Sequence, residues 1–359
     1  MTDNAANPAY ASLVNHPLRT VLLVLAAFAG RNCLAADAPA ITSYSSPYAE
    51  FGSVERLDPA LDELIAPDES MEKLAEGFTW AEGPVWVPAA HRVLFSDVPR
   101  NIAYSWEEGA GAKIFLQPSG YTGLVPGDNL GEGSNGLTLD RAGKLLLCQH
   151  GDRRISRLGD DGKSFETVVD RVDGKRLNSP NDLCVDRAGN IYFTDPPYGL
   201  GDKGTREIPV NGIYRRAVDG TVTLISGELS RPNGIALSPD EKLLYVGNSD
   251  DKHPVIMAYD LKPDGTTGPG RVFFDGTELI EEGRHGLMDG MKVDARGDLW
   301  TTGPGGILII SPAGVNLGTL LTGRGTANCC FGGPDGHTLF ITAQNTLLRL
   351  TTKTTGAGL

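Results

Sequence analysis

Six times along the chain, a short apolar strand, a polar turn and a second apolar strand follow one another in the same order. The stretch that opens at Asn135 shows the pattern. Leu137 and Leu139 alternate with other residues, Asp140-Arg141-Ala142-Gly143 makes the turn, and Leu145 to Cys148 form the second apolar run. The other five stretches open at Glu82, Asn181, Asn233, Asp289 and Asn328. Period-2 strands joined by Asp, Pro and Gly turns predict antiparallel hairpins. Successive openings lie about 40 to 55 residues apart, room for four short strands, which is the size of one propeller blade. Residues 102–106, 112–117, 212–215, 222–226, 255–259 and 271–274 predict third and fourth strands of their blades.

The last stretch leaves too little chain for a complete blade: residues 345–352 supply a third strand and no more. Residues 71–78 are strand-like, precede the first stretch and belong to no earlier blade. The expected fold is therefore all-β, a six-bladed β-propeller over residues 71–359 whose ring is closed by that N-terminal strand completing the last blade. Closure removes the open sheet edges that an array of hairpins would otherwise expose. The 46 glycines and 23 prolines suit a chain with this many turns.

Ahead of the repeats, the apolar run from Thr20 to Gly30 follows His16 and Arg19. It is too short to span a bilayer and has the length of a signal-peptide core, so residues 1–36 are expected to be a signal peptide and residues 37–70, rich in Ala, Pro and Ser, a linker. The expected location is periplasmic or secreted, or cytoplasmic if the apolar segment is no signal, with no stable membrane insertion. The formal charge of −13 argues against nucleic-acid partners and tolerates a divalent cation. The five cysteines contain no CxxC pair and read as buried thiols. No dinucleotide-binding, Walker, HExxH or Gly-x-Ser-x-Gly pattern is present in its required setting.

In a propeller the innermost strand of every blade lines a central channel, so equivalent residues form a ring. The six opening residues, Glu82, Asn135, Asn181, Asn233, Asp289 and Asn328, all carry oxygen donors. Asn-Gly and Asp-Gly are also ordinary turn dipeptides. Two carboxylates and four amides facing a narrow channel would repel or go unpaired, which one bound divalent cation resolves. An all-oxygen set favours Ca2+, with Mg2+, Mn2+ or Zn2+ as alternatives. His150, Asp195, Asn248 and Gly303 end the second strands and return to the same mouth.

The segments Ala81-Glu-Gly-Pro-Val-Trp86, Asn178-Ser-Pro-Asn-Asp182, Thr194-Asp-Pro-Pro-Tyr-Gly199, Arg231-Pro-Asn-Gly234 and Met288-Asp-Gly-Met291, in that order, resemble the SMP-30/gluconolactonase/luciferin-regenerating-enzyme family. The resemblance implies a six-bladed propeller with a divalent metal at the channel mouth, held by Glu82, Asn181, Asn233 and Asp289. It also implies hydrolysis of a small-molecule lactone, a sugar lactone in gluconolactonase-like members. Residues 119–134 and Gln149-His-Gly-Asp-Arg153 are similar to bacterial members, whereas Ser179 stands where animal members carry an arginine.

On this reading Asp289 is the first choice for general base and His150 the competing one, although His150 also reads as a hydrogen-bonded strand-end histidine. Asn135 and Asn181 could hold substrate hydroxyls or a developing oxyanion, and His285 and Tyr198 could touch the substrate. Trp86 and Trp300 are expected to pack between blades. Two other functions compete: a non-enzymatic propeller binding module, and a propeller enzyme of the strictosidine-synthase or paraoxonase kind. The latter implies more than one calcium and a His pair, of which no clear example occurs here.

Overall fold

The computed structural model describes residues 40–123, 132–200 and 205–358. The expected signal peptide lies outside the described residues. Six antiparallel sheets follow one another around a channel, and the inner strand of each contacts the inner strand of the next, the sixth contacting the first. Blade 1 comprises Ala81–Val87, Arg92–Asp97, Ile102–Glu107 and Gly111–Leu116, and blade 2 comprises Ser134–Leu139, Leu145–Gln149, Arg154–Leu158 and Phe165–Val169. Blade 3 is Leu183–Val185, Ile191–Asp195, Gly212–Arg216 and Val222–Ser226; blade 4 is Pro232–Leu237, Leu243–Asn248, Val255–Asp260 and Arg271–Asp275. Blade 5 is Met291–Val293, Leu299–Gly303, Gly306–Ile310 and Asn316–Leu321. Blade 6 takes Thr326–Gly332, Thr338–Ala343 and Thr346–Thr351 from the C-terminal end and its fourth strand, Met71–Glu76, from ahead of blade 1. The ring therefore closes as the sequence predicts.

The hydrophobic core is divided among the six blade interfaces. Second strands are buried on both faces, so alternate side chains serve different neighbours. In blade 2, Leu145 and Leu147 pack toward blade 1 with Leu94 and Leu137, whereas Leu146 and Cys148 pack toward blade 3 with Phe193 and Leu183. In blade 4, Leu244 and Val246 meet Tyr192 of blade 3, while Tyr245 meets the Met291 side of blade 5. This is why the second strands read as continuous apolar runs where one-sided sheets would alternate. Trp86 stacks on Phe340 at 5.6 Å across the closing interface, and Trp300 meets Phe331 edge-on at 5.5 Å between blades 5 and 6. The described cysteines are free thiols within this packing.

The stretch expected to be a linker is structured from residue 42 onward. Thr42–Ser43 and Glu50–Phe51 pair with the closing strand Met71–Glu76, and Ser53–Arg56 adds a fifth strand outside Asn316–Leu321 of blade 5. A 3-10 helix, Pro59–Glu63, follows, capped by the Asp58 side chain on Ala60 N at 2.8 Å. It delivers Leu61, Leu64 and Ile65 into the core formed by Leu317, Leu320, Trp300 and Met71. Composition concealed this arm because two-residue strands carry no periodicity. Physically, it covers outer edges that would otherwise stay unpaired.

Because Leu61 is fully buried in that core, Leu61→Ala should destabilise the protein by about 2–5 kcal/mol in urea unfolding. A cost near zero would show that the arm is not part of the folded unit.

Candidate active site in the central channel

A β-bulge in the inner strand builds the site. In blade 3, Asn181 N donates to Thr194 O at 2.9 Å and Thr194 N donates to Asp182 O at 3.1 Å, so two consecutive residues oppose one. The pairing slips at the equivalent place between Glu82 and Val85 in blade 1 and between Pro232 and Ile235 in blade 4. A bulge bends the strand and re-aims its side chains, here at the opening residues Glu82, Asn181 and Asn233.

The residue after the opening one is glycine in four blades, and these are not turn glycines. A Cβ on Gly83 would lie 2.2 Å from Asn135 O, one on Gly136 2.7 Å from Asn181 O, and one on Gly234 2.0 Å from Asp289 O. Neighbouring inner strands touch backbone to backbone, and Gly136 N donates to Asn181 O across the seam at 2.8 Å. Second-strand hydroxyls reinforce the seams. Ser96 donates to Asn135 O at 2.8 Å and Thr194 to Asn233 O at 2.7 Å, each reaching the next blade.

The expected ring residues are thereby brought together. Asn135 Nδ2 donates to Asn181 Oδ1 at 3.0 Å, Asn181 Nδ2 donates to Asn233 Oδ1, and Asn233 Nδ2 donates to Ser249 Oγ at 3.1 Å. Glu82 is held by its neighbour Gly83 N at 3.0 Å and by Trp80 Nε1 at 3.4 Å. Glu82 and Asp289 act on one another electrostatically. Burial pushes the Glu82 carboxyl up to about 7, against the Gly83 hydrogen bond, and Asp182 adds to the rise. Burial, followed by the charges of Glu82 and Asp182, holds Asp289 well above the usual carboxylate range.

Among the described residues, two buried oxygens here have no hydrogen-bond partner: Asp289 Oδ1 and Asn135 Oδ1. Unpaired buried oxygens are costly. The oxygens of the two carboxylates and the amides are the donor type a hard cation takes, so the residues fit a divalent ion. Among the described residues, no cluster of three His, Cys, Asp or Glu forms a metal site, so any such ion depends on the amides. The unpartnered Asn135 atom is an acceptor. That suits a cation or a substrate hydroxyl but not an oxyanion, one of the roles expected for Asn135.

Tyr198 lies within the field of Asp289 and Arg231, and burial pushes its hydroxyl up, keeping it protonated. His150 is buried. Its Nδ1 faces Glu132 Oε2 at 3.2 Å, and its Cβ lies against Gly199, where an added Cβ would be 2.6 Å away. Ser179 Oγ accepts from Gly199 N at 2.8 Å, which ties the Tyr198–Gly199 turn to the ring-bearing loop. His285 is exposed on its loop and is not drawn into the ring.

The other second-strand ends expected at the mouth serve as clamps. Asp195 accepts from Asn178 N and Ser179 N, both at 2.7 Å, and Asn248 Oδ1 accepts from Arg231 N at 2.8 Å. Asp97 does the same for Thr79 N and Trp80 N. Each holds the loop entering an inner strand. Sequence reasoning overlooked Asp182 and Lys292 in the channel. The visible signal was an aspartate at the position that is glycine in four other blades.

The family described as "SMP-30/Gluconolactonase/LRE-like region" matches residues 80–345. A gluconolactonase of Zymomonas mobilis subsp. mobilis is 41% identical over 312 residues, which cover 85% of this chain and 87% of that protein. The pentonolactonase XacC of Haloferax volcanii is 27% identical over 268 residues, covering 73% and 80%. Among solved structures, a gluconolactonase from Xanthomonas campestris superposes with a TM-score of 0.76 at 30% identity, covering 87% of this chain and 99% of that one.

Two outcomes follow from this geometry. Gly234→Ala should cost about 1–3 kcal/mol in thermal unfolding, because its Cβ would press on the Asp289 carbonyl. Asp195 is pushed by burial from its ordinary 3.8 up to about 7. Its folded value lies above the unfolded one, so its contribution is full below about pH 4 and is lost as pH rises toward 7. Asp195→Asn should therefore flatten the decline of Tm across pH 4–7; an unchanged slope would rule this out.

Proposed function

The chain belongs to the SMP-30/gluconolactonase/LRE-like family, and on that premise we propose that it is a lactonase opening a sugar lactone with one divalent cation in the channel ring. One observation carries this reading: two carboxylates and four amides converge in the channel, leaving Asp289 Oδ1 and Asn135 Oδ1 without partners among the described residues. The names of the gluconolactonase and pentonolactonase relatives support a sugar lactone as substrate. Glu82, Asn181, Asn233 and Asp289 would hold the cation, and their all-oxygen character favours Ca2+. When bound, such an ion supplies Lewis-acid polarisation of a carbonyl and orientation of a water, so no covalent nucleophile is needed.

The chain's own residues account for the rest of the chemistry. Water oxygen bonds to the lactone carbonyl carbon, the ring C–O bond breaks, and the former ring oxygen leaves as a hydroxyl beside a new carboxylic acid, which releases its remaining proton to solvent. Asp289 is the group placed to take the proton of the attacking water. Its Oδ1 has no competing partner among the described residues, and burial raises its basicity. The same carboxyl then returns the proton to the departing ring oxygen. His150, whose Nδ1 faces Glu132, is the competing base. Tyr198, kept protonated, offers a hydrogen bond at the ring, and Asn135 Oδ1 accepts from a substrate hydroxyl.

A panel of aldonolactones assayed with EDTA and with cation add-back tests the proposal. Glu82→Ala and Asp289→Ala should fold, lose cation binding and lose hydrolysis, while His150→Ala retains more activity than Asp289→Ala. Full hydrolysis by either carboxylate variant, or by EDTA-stripped protein, would sink the mechanism.

A further inference from the structure

Beneath the ring lies a second charged layer that the reaction above does not use. Asp182 follows Asn181 where blades 1, 2, 4 and 5 have Gly83, Gly136, Gly234 and Gly290. Its carboxylate fills space that a glycine leaves, since a Cβ on Gly136 would stand 2.6 Å from Asp182 Oδ1. Asn328 Nδ2, on the diametrically opposite blade, donates to Asp182 Oδ2 at 3.3 Å, while Leu183 N donates to Oδ1 at 2.9 Å. A hydrogen bond between blades 3 and 6 puts this carboxylate near the propeller axis, just below the ring.

The opposing charge is Lys292, three residues after Asp289 on the inner strand of blade 5. Its Nζ donates to Met291 O at 2.9 Å. Burial is the largest influence and works against its charge, but Asp182, together with Cys329, Cys330 and Cys184, more than offsets it. Lys292 makes no ion pair within 4.0 Å among the described residues, so it acts on Asp182 through the channel and not by contact. When ionised, Glu82, Asp182 and Asp289 against one ammonium leave two net negative charges, matching one divalent ion.

We propose that Lys292 is a positioning residue of the cation site: a built-in cation that neutralises Asp182 on the axis, leaving Glu82 and Asp289 as the pair a divalent ion answers. The inference rests on reading the ring as a cation site. It predicts effects of opposite sign. Removing the ammonium strips a repelling charge from beneath the ring and leaves Asp182 uncompensated. The cation-free protein then becomes less stable and the cation binds more tightly. Removing the Asp182 charge does the reverse.

Calcium titration calorimetry and Tm in EDTA, on the full chain, test this. Lys292→Met should tighten Ca2+ binding by about tenfold or more and lower the Tm in EDTA, and Asp182→Asn should weaken binding by a similar factor. The double variant should return to within about threefold of the original affinity, and Lys292→Arg should resemble the original protein. Loss of packing alone would weaken binding in every variant. Weaker or unchanged binding in Lys292→Met would overturn the proposal. If that variant fails to fold without cation, the double variant against Asp182→Asn decides: no recovery of affinity overturns it. If the original chain binds no divalent cation, the ring reading itself falls. Binding by the original chain with no response to either charge change removes only the role of Lys292.

Discussion

Neighbouring inner strands meet backbone to backbone around the channel, and this contact tolerates no Cβ where Gly83, Gly136 and Gly234 stand. Much of the architecture depends on it. The close approach sets how near the axis each blade comes, and so how tightly the six opening residues converge. The same approach permits the cross-seam hydrogen bond from Gly136 N to Asn181 O, which fixes the height of one blade against the next. The bulge then turns the preceding side chain inward. One local requirement, glycine after a polar residue on a bulged strand, thus serves both ring closure and the site.

Convergence has an electrostatic consequence. Three carboxyl groups, Glu82, Asp182 and Asp289, are brought together out of water, and burial raises the pKa of each. Left alone, such a cluster would resist ionisation and oppose folding at neutral pH. The amide chain from Asn135 to Asn233 supplies dipoles, Lys292 supplies one compensating charge, and a divalent ion would supply the rest. The clamps Asp97, Asp195 and Asn248 sit farther out and hold the entering loops, so the inward aim of the ring residues does not depend on those residues alone.

The blade count, the closing strand and the ring positions were legible in the sequence because each is a repeated local pattern. Double-sided burial of second strands wrote Leu145 to Cys148 as an unbroken apolar run, and turn chemistry marked its start. The arm from residue 42 to Ile65 was not legible. Its strands are too short for periodicity, and Leu61, Leu64 and Ile65 acquire meaning only beside Leu317 and Trp300. Ring residues could be named from alignment of the repeats, but nothing in the alignment distinguished turn glycines from contact glycines.

By itself, the sequence determined the propeller, its six oxygen donors and the two carboxylates among them, since strand period and repeat spacing are properties of short segments. Tertiary structure alone decided which charges share the channel. Asp182 and Lys292 lie 110 positions apart in the chain, on strands whose facing depends on the bulge and on the blade order. Their interaction, like the reach of Asn328 across the axis to Asp182, exists only after closure has set opposite blades against one another.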